Sequence, residues 1–276
     1  SMKKIITSVS AIALASVLSA CSPAPEADSL QAAVDHESRT DKYQARDEFR
    51  HPKETLEFFE LEPSMTVVEI WPGGGWYTEI LAPYLADEGQ LYAAHFPENS
   101  DSDYYQRSLE NFKEKLTTNP VYGNVELTEF APGEDTDIAP PRSADRILTF
   151  RNLHNWYMQE GEEGVLQAFR HFHQTLKPNG MLGIVDHRLP ESADAEAFKD
   201  SGYVKESWVI DLAEQAGFEF VASSEVNANP KDTADHPKGV WTLPPTLTLG
   251  DEDKEKYEAI GESDRFTLKF QKPVTD

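Results

Sequence analysis

The stretch MTVVEI-WPGGGW-YTEILAPYL, residues 65–85, decides the fold predicted for this chain. Thr66–Ile70 is a short, apolar and β-branched run, which is typical of a buried parallel strand. Residues 72–75, Pro-Gly-Gly-Gly, cannot continue a strand and predict a tight loop. From residue 76 to residue 85 the apolar positions recur at helical spacing. Strand, glycine loop and helix together predict the first unit of a nucleotide-binding α/β domain.

The glycine loop is a candidate ligand site for two physical reasons. Glycines allow a ligand to approach the backbone closely, and the following helix begins with unpaired N–H groups. Glu69, at the end of the strand, could accept hydrogen bonds from the ligand or from the loop. The alternative is a strand–helix turn that needs glycine only for its backbone conformation.

Strand and helix patterns alternate along the rest of the chain. Further strands are predicted at residues 90–96, 125–130, 145–150, 181–186, 218–226 and 265–271, and further helices at 104–116, 164–176 and 205–216. Residues 39–61 suggest one or two helices broken around His51-Pro52, and residues 227–262 read as a long loop without a convincing helix. The predicted fold is therefore α/β, with a doubly wound, mostly parallel, seven-stranded sheet, helices on both faces and an antiparallel hairpin at one edge.

The N-terminus carries the pattern of an export signal. Lys3 and Lys4 precede a short apolar run at residues 5–18, which is too short to span a membrane. Residues 18–21, Leu-Ser-Ala-Cys, resemble a bacterial lipobox. We therefore predict a signal peptide at 1–20, a lipidated Cys21 with a flexible tether at 21–37, and one domain at 38–276. The alternative is an ordinary signal peptide that is cleaved after Ala20.

In lipoproteins of this type, a serine after the cysteine favours the outer membrane, and Ser22 stands there. The expected location is the periplasmic side of that membrane, through the lipid on Cys21. Cys21 is the one cysteine, so an internal disulfide is excluded. With 49 Asp and Glu against 25 Lys and Arg, the chain has a net charge of −24, which argues against a nucleic-acid partner.

The order of these motifs resembles the class I S-adenosylmethionine-dependent methyltransferases, and more narrowly a group of bacterial predicted methyltransferases with export signals. The likeness covers residues 39–273. The family's first motif is an acid followed by Gly-x-Gly-x-Gly; here Glu69, Gly73 and Gly75 match, whereas Trp71 replaces the first glycine. Residues 145–154 resemble the fourth-strand motif, and residues 176–180, Leu-Lys-Pro-Asn-Gly, resemble the turn before the fifth strand. The resemblance implies S-adenosylmethionine as cofactor and methyl transfer to a small molecule.

The resemblance also implies a cofactor site, made of Glu69, Trp71, Gly73, Gly75, His95, Arg151 and Asn152. In the family an acid at the end of the second strand usually binds the ribose hydroxyls. His95 stands there instead, and Glu98 could substitute from the loop. Trp71 would narrow the space for the methionine tail, or stack on an adenine or a methylsulfonium.

The predicted catalytic residues are His154, Asp186 and His187, which follow the fourth and fifth strands. His154 is the candidate general base, because an unperturbed imidazole titrates near neutrality. The alternative is a histidine at a helix start that bonds its own loop. Asp186 could orient the imidazole of His187, although neighbouring strand residues point to opposite faces. The alternative is that the two side chains make unrelated bonds.

Two other functions remain open from the sequence. A non-catalytic binding protein on this fold would hold a small molecule without turnover. A metal-assisted activity would use His95, His154, Asp186 and His187 as ligands, although their spacing matches no recognised metal motif and we predict no metal.

Overall fold

A computed structural model describes residues 29–275, so the predicted signal peptide and the predicted lipidation site, Cys21, lie outside the described residues. One seven-stranded sheet forms its centre, in the order β3-β2-β1-β4-β5-β7-β6. The strands are β1 (Thr66–Ile70), β2 (Gln90–His95), β3 (Val125–Glu129), β4 (Ala144–Phe150), β5 (Leu176–His187), β6 (Glu219–Ser224) and β7 (Arg265–Gln271). Strands β1 to β5 pair in parallel, and β7 pairs antiparallel with both β5 and β6. The predicted sheet and its antiparallel edge are confirmed.

Nine α-helices are assigned within residues 29–275. They are α1 (Leu30–Val34), α2 (Asp41–Gln44), α3 (Asp47–Arg50), α4 (Pro52–Phe58), α5 (Thr78–Leu85), α6 (Asp103–Leu116), α7 (Leu153–Thr175), α8 (Glu206–Gln215) and α9 (Lys254–Ile260). Short 3₁₀ helices occur at Pro120–Tyr122 and Gly239–Thr242. None of the helices within these residues is long and apolar enough to cross a membrane.

The core lies on both faces of the sheet. On one face, side chains of α1, α4 and α5 pack against the central strands, with Leu56, Ile80 and Leu81 fully buried. On the other face, α7 and α8 supply Phe169, Phe172 and other buried side chains. Because both faces are covered, the strands at the centre of the sheet are apolar along nearly their whole length, as the sequence of β1 indicated.

Three sequence predictions need correction. Residues 29–37 were assigned to the tether, but Ser29 caps α1 by accepting a hydrogen bond from the Ala32 N–H (3.1 Å), and Ala33 is fully buried. A tether cannot therefore extend past residue 28. Helix α7 begins at Leu153 rather than residue 164, and Gly161 (φ 69°) breaks its regular geometry. Residues 227–262, predicted as a loop without a helix, contain a 3₁₀ turn and α9.

Candidate functional site

A cleft of about 570 Å³ opens where β1, β4 and β5 end. The loop after β1 forms one wall, the N-terminal helices α2 and α3 form a second, and residues 240–246 form a third. The side chains and backbone that line it belong to Lys42, Tyr43, Arg50, Trp71, Pro72, Gly73, Gly74, Trp76, Tyr104, Phe150, Arg151, Asn152, His154, Asn155, His187, Val240, Trp241, Pro244, Pro245, Thr246, Ser263 and Arg265. Ligands of open α/β sheets bind at this edge.

The two glycines that the resemblance placed in the cofactor site have different roles. Gly73 lines the cleft with φ +60°, and a Cβ built on it would meet no atom within 4 Å. Its backbone is therefore open to a ligand. Gly75 (φ +87°) faces α6 instead, where a Cβ would lie 3.0 Å from the side chain of Lys115. Gly75 thus serves the packing of the loop on that helix.

Glu69 lies beneath the loop and does not line the cleft. It is buried, and its Oε1 accepts a hydrogen bond of 2.6 Å from the Thr78 hydroxyl at the start of α5. Burial raises the pKa of Glu69 to about 7, although the Thr78 hydrogen bond opposes the rise. Glu69 therefore joins β1 to α5. It does not bond a ligand or the glycine loop, whereas the sequence suggested that it could.

Trp71 occupies a left-handed backbone conformation (φ 50°), which suits the glycine that the resembled family has there. Its ring is packed into the core, and its Nε1–H donates to the Phe130 carbonyl (2.8 Å). Phe96 and Trp156 pack edge-on against it, with ring centroids 4.8 and 6.0 Å away. Only 5% of the residue is exposed. Stacking on an adenine or a sulfonium, which the sequence suggested, would require this packing to open.

His95 is fully buried and holds the glycine loop from below. Its Nδ1 accepts from the Phe96 N–H (2.8 Å), so we assign the proton to Nε2, which donates to the Gly73 carbonyl (2.9 Å). Burial lowers the pKa of His95 to about 4. The exposed Glu98 forms an ion pair with Lys113. Neither side chain lines the cleft, so neither occupies the ribose-binding position that the resemblance implied.

Arg151 and Asn152 follow β4 and both line the cleft. The Asn152 Nδ2 donates to the Ile70 carbonyl (2.9 Å) and to the Thr149 hydroxyl (3.2 Å), which fixes the end of β4 to the start of the glycine loop. Arg151 has φ 62°, and its N–H donates to the Val185 carbonyl (2.7 Å). This backbone bond anchors Arg151 at the end of β5.

His154, Asp186 and His187 meet where β4 and β5 end, and the two histidines line the cleft there. The Asp186 carboxylate is fully buried, and its Oδ1 lies 2.8 Å from the His154 Nδ1. The same carboxylate accepts the backbone N–H groups of His154 (2.9 Å) and His187 (2.8 Å). The acid therefore orients His154, and the structure favours the alternative in which the ring of His187 makes unrelated bonds.

The ring of His187 has other neighbours. Its Nδ1 lies 2.5 Å from the Ser263 hydroxyl, and its Nε2 is 3.9 Å from the nearer Asp186 oxygen. The centroid of the His154 ring is 5.0 Å away. Burial, and then the charges of His154 and the nearby arginines, hold the pKa of His187 well below its usual range. His187 is thus favoured as a neutral ring at the cleft wall.

The three residues could also hold a metal ion, because one ligand atom from each lies within 4.8 Å of the others. Two observations oppose this use. The Asp186 oxygens already accept three N–H groups, and Arg50, Arg151 and Arg265 line the same cleft. Fixed positive charge repels a divalent cation. His95, the fourth ligand suggested by the sequence, lies under the glycine loop and bonds the backbone with both ring nitrogens.

Several cleft residues were absent from the sequence predictions. Arg50 lies on α3, and Ser263 and Arg265 lie at the start of β7, more than 200 positions later in the chain. The antiparallel β7 brings its first residues to the edge where the parallel strands end. The signal that could have located them was the predicted edge hairpin, which fixes that direction.

Comparison with models of protein families and with curated protein sequences finds no match for this chain. Solved structures do match. A SAM dependent methyltransferase from Aquifex aeolicus aligns with a TM-score of 0.54 and 19% identity, covering 83% of this chain and 93% of that one. A protein from Galdieria sulphuraria assigned as a sarcosine dimethylglycine methyltransferase aligns with a TM-score of 0.59 and 13% identity, covering 87% and 90%.

The [4+2]-cyclase SpnF also aligns, with a TM-score of 0.57 and 16% identity, covering 89% of this chain and 92% of that one. At such identities the likeness shows the fold, which is that of S-adenosylmethionine-dependent methyltransferases. The cyclase shows that this fold also carries other chemistry, so the activity must be argued from the cleft itself.

Proposed function

We propose that this protein transfers a methyl group from S-adenosylmethionine to a small molecule bound in the cleft. The observation that carries the proposal is the placement of two features in one cleft. The open backbone of Gly73 follows β1, and His154, which the buried Asp186 orients, lines the same cleft at the start of α7. A ligand-binding loop and a candidate base are the two parts that such a transfer needs from the protein.

The cleft residues fit the cofactor. Gly73 leaves room that any side chain would fill, and Asn152 and His95 hold that loop in place from two sides. Tyr43 and Tyr104 line the same region and offer aromatic surface for a sulfonium or a base. When bound, S-adenosylmethionine would supply an electrophilic methyl group on a positively charged sulfur.

The His154–Asp186 pair would act as the general base that accepts the proton of the methyl acceptor. With Nδ1–H donating to the Asp186 carboxylate, the Nε2 of His154 is left as a proton acceptor. It would take the proton that the acceptor's hydroxyl or amine loses on methylation; the methyl–sulfur bond of the cofactor would be the one broken, and S-adenosylhomocysteine would be the second product. Trp241, whose ring centroid lies 6.0 Å from that of His154, would help to exclude water from this end.

Methyl transfer from labelled S-adenosylmethionine to a mixture of small hydroxyl, amine and carboxylate compounds tests the proposal. Asp186→Asn should lower the rate by about 10²- to 10⁴-fold, because the imidazole loses its orienting charge. The matched control is Asp232→Asn. Its carboxylate pairs with His236 (2.7 Å) outside the cleft, so the rate should stay within threefold. Equal losses in the two variants would contradict a catalytic role for the pair.

A non-catalytic binding protein is the second candidate, and one observation favours it. The position at the end of β2 carries His95, which is turned into the loop, so no carboxylate from that position reaches the cleft. Saturable binding of S-adenosylhomocysteine without transfer of label to any acceptor would support this function over the first.

We also propose that the protein is exported as a lipoprotein and anchored by a lipid on Cys21 to the periplasmic side of the outer membrane. The lipobox-like residues 18–21 support this placement. Because the folded domain starts at Ser29, the eight steps from Cys21 span at most about 28 Å, so the domain would lie close to the membrane surface. Labelled palmitate should enter the protein in cells, and Cys21→Ser should abolish this.

A further inference from the structure

The charge of the cleft is opposite to that of the chain. The protein carries 49 acidic and 25 basic residues, yet four cations line the cleft: Lys42, Arg50, Arg151 and Arg265. Among residues 29–275, no aspartate or glutamate lines it. A cleft with one sign of charge attracts ligands of the opposite sign.

One carboxylate, Glu262, forms ion pairs with the arginines at this part of the cleft. It accepts hydrogen bonds from the Nε of Arg50 (2.9 Å), the Nη2 of Arg265 (2.6 Å) and the Nε of Arg46 (2.6 Å). Burial alone would raise the pKa of Glu262, but the surrounding arginines outweigh it and hold that pKa far below its usual range. A single negative charge therefore faces three guanidinium groups.

Arg151 adds a fourth guanidinium, and Glu262 is again the carboxylate whose charge acts on it. Among the described residues its side chain makes no hydrogen bond or ion pair that would compensate its charge, and burial, Arg50 and Arg265 lower its pKa well below the usual range. Arg265 is itself 3% exposed, and its Nε has no hydrogen-bond partner. Arg50 and Arg265 are buried, Arg151 is partly buried, and all three share the one carboxylate of Glu262, so a bound anion would stabilise this group of arginines.

The cofactor of the proposed function would bring one carboxylate to the cleft but no net negative charge. At neutral pH, S-adenosylmethionine carries one carboxylate, one ammonium and one sulfonium, so its net charge is positive. Arg151 follows β4, next to the strand that carries the glycine loop, whereas Arg265 begins β7 opposite His187, three strands away from β1. His154 and His187 line the same part of the cleft. The anion is therefore expected on the acceptor.

We propose that Arg50, Arg151 and Arg265 form a subsite that binds a carboxylate or phosphate group of the methyl acceptor. The inference rests on the proposed function and deepens it by naming the substrate class. Guanidinium groups bind planar oxyanions with two parallel hydrogen bonds, so a group held there would fix the acceptor in one orientation toward His154. Neutral acceptors of the same shape should bind weakly.

Calorimetry with the folded soluble protein tests the subsite, with benzoate, benzamide and inorganic phosphate as probes. The titrations are made with and without saturating S-adenosylhomocysteine, whose amino-acid carboxylate fills any site for the corresponding carboxylate of the cofactor. We expect benzoate or phosphate to bind in both conditions, and benzamide to bind at least tenfold more weakly. This comparison needs no variant, so it does not depend on whether an altered chain folds.

Variants then locate the site. Arg151→Gln should weaken anion binding at least tenfold, and Arg151→Lys less, because lysine keeps the charge but not the planar guanidinium. Arg170→Gln is the matched control, because Arg170 is exposed on α7 and its substitution removes the same charge at a distance from the cleft lining. Anion binding that disappears with S-adenosylhomocysteine, together with its tenfold weaker binding to Arg151→Gln, would assign the arginines to the cofactor's carboxylate and overturn the proposal.

Failure of benzoate and phosphate to bind in either condition would also overturn it and leave the arginines a structural role. If S-adenosylhomocysteine itself does not bind to the unaltered protein, the proposed methyl transfer fails. The titrations without it still test the anion subsite, so the two failures are distinguishable.

Discussion

Replacing Glu69 by glutamine should remove a large pH dependence from the stability of the fold. The carboxyl is buried between β1 and α5, and its pKa rises from 4.5 to about 7 on folding. Above pH 4.5 the unfolded chain releases this proton, while the folded protein keeps it until about pH 7. The free energy of unfolding therefore falls as the pH rises through this interval, and the loss is complete above it.

The magnitude follows from the two pKa values. A difference of about 2.5 in pKa, at 1.36 kcal/mol for each unit, corresponds to about 3 kcal/mol at pH 8. At about pH 5 the raised pKa of Glu69 lowers the free energy of unfolding by about 1 kcal/mol. Glutamine can still accept the hydrogen bond from Thr78 but carries no proton to lose. The stability of Glu69→Gln relative to the unaltered protein should thus increase by about 2 kcal/mol between about pH 5 and pH 8.

Urea unfolding of both proteins at the two pH values measures this difference directly. The control is Glu126→Gln on β3, where the side chain is exposed and the substitution removes no buried charge. Its difference from the unaltered protein should be the same at both pH values. Parallel stability curves for Glu69→Gln and the unaltered protein would refute the reasoning that burial sets the protonation of Glu69.

Two further substitutions test the residues beneath the glycine loop. Trp71→Phe removes the hydrogen bond to the Phe130 carbonyl and should lower the free energy of unfolding in urea by about 1–2 kcal/mol. The affinity for S-adenosylhomocysteine should change less than threefold. A tenfold loss of that affinity would mean that the indole contacts the ligand. His95→Phe should gain about 2.5 kcal/mol relative to the unaltered protein between about pH 7.5 and pH 4.5, because the unfolded chain takes up the proton below 6.5 and the folded protein only below about 4. Equal differences at both pH values would contradict a buried, neutral His95 that donates to Gly73.

The sheet was predictable because its signals are local. Thr66–Ile70 and Arg265–Gln271 were predicted at their observed bounds, since their composition differs sharply from that of the turns beside them. Helix α1 was missed because its five residues carry little periodicity, and packing against α4 and α5 is what holds them. The start of α7 was missed because the break at Gly161 interrupts the helical pattern.

The contacts within the site were less predictable, because they depend on how distant elements meet. The sequence indicated His154, Asp186 and His187 as one catalytic group and left open whether Asp186 orients the ring of His187. In the fold Asp186 contacts His154, which is 32 positions away. Glu262 and Arg50 are 212 positions apart, so no local pattern could reveal their ion pair. His95 was correctly placed at a strand end, but its ring is turned into the loop by bonds that only the fold defines.

The central claim, that the backbone at Gly73 binds S-adenosylmethionine, is tested most directly by calorimetry of S-adenosylhomocysteine binding to two matched variants. Gly73 and Gly250 have φ of +60° and +62°, and a Cβ at either position meets no atom within 4 Å. Alanine should therefore cost both variants a similar 1–2 kcal/mol of strain, about the penalty for a left-handed residue. Of these two glycines, only Gly73 lines the cleft.

We predict binding to the unaltered protein with a Kd on the order of micromolar. Gly250→Ala should bind equally well, and Gly73→Ala at least tenfold more weakly. No binding to the folded, unaltered protein, or equal affinities in the two variants, would contradict the claim that this cleft holds the cofactor.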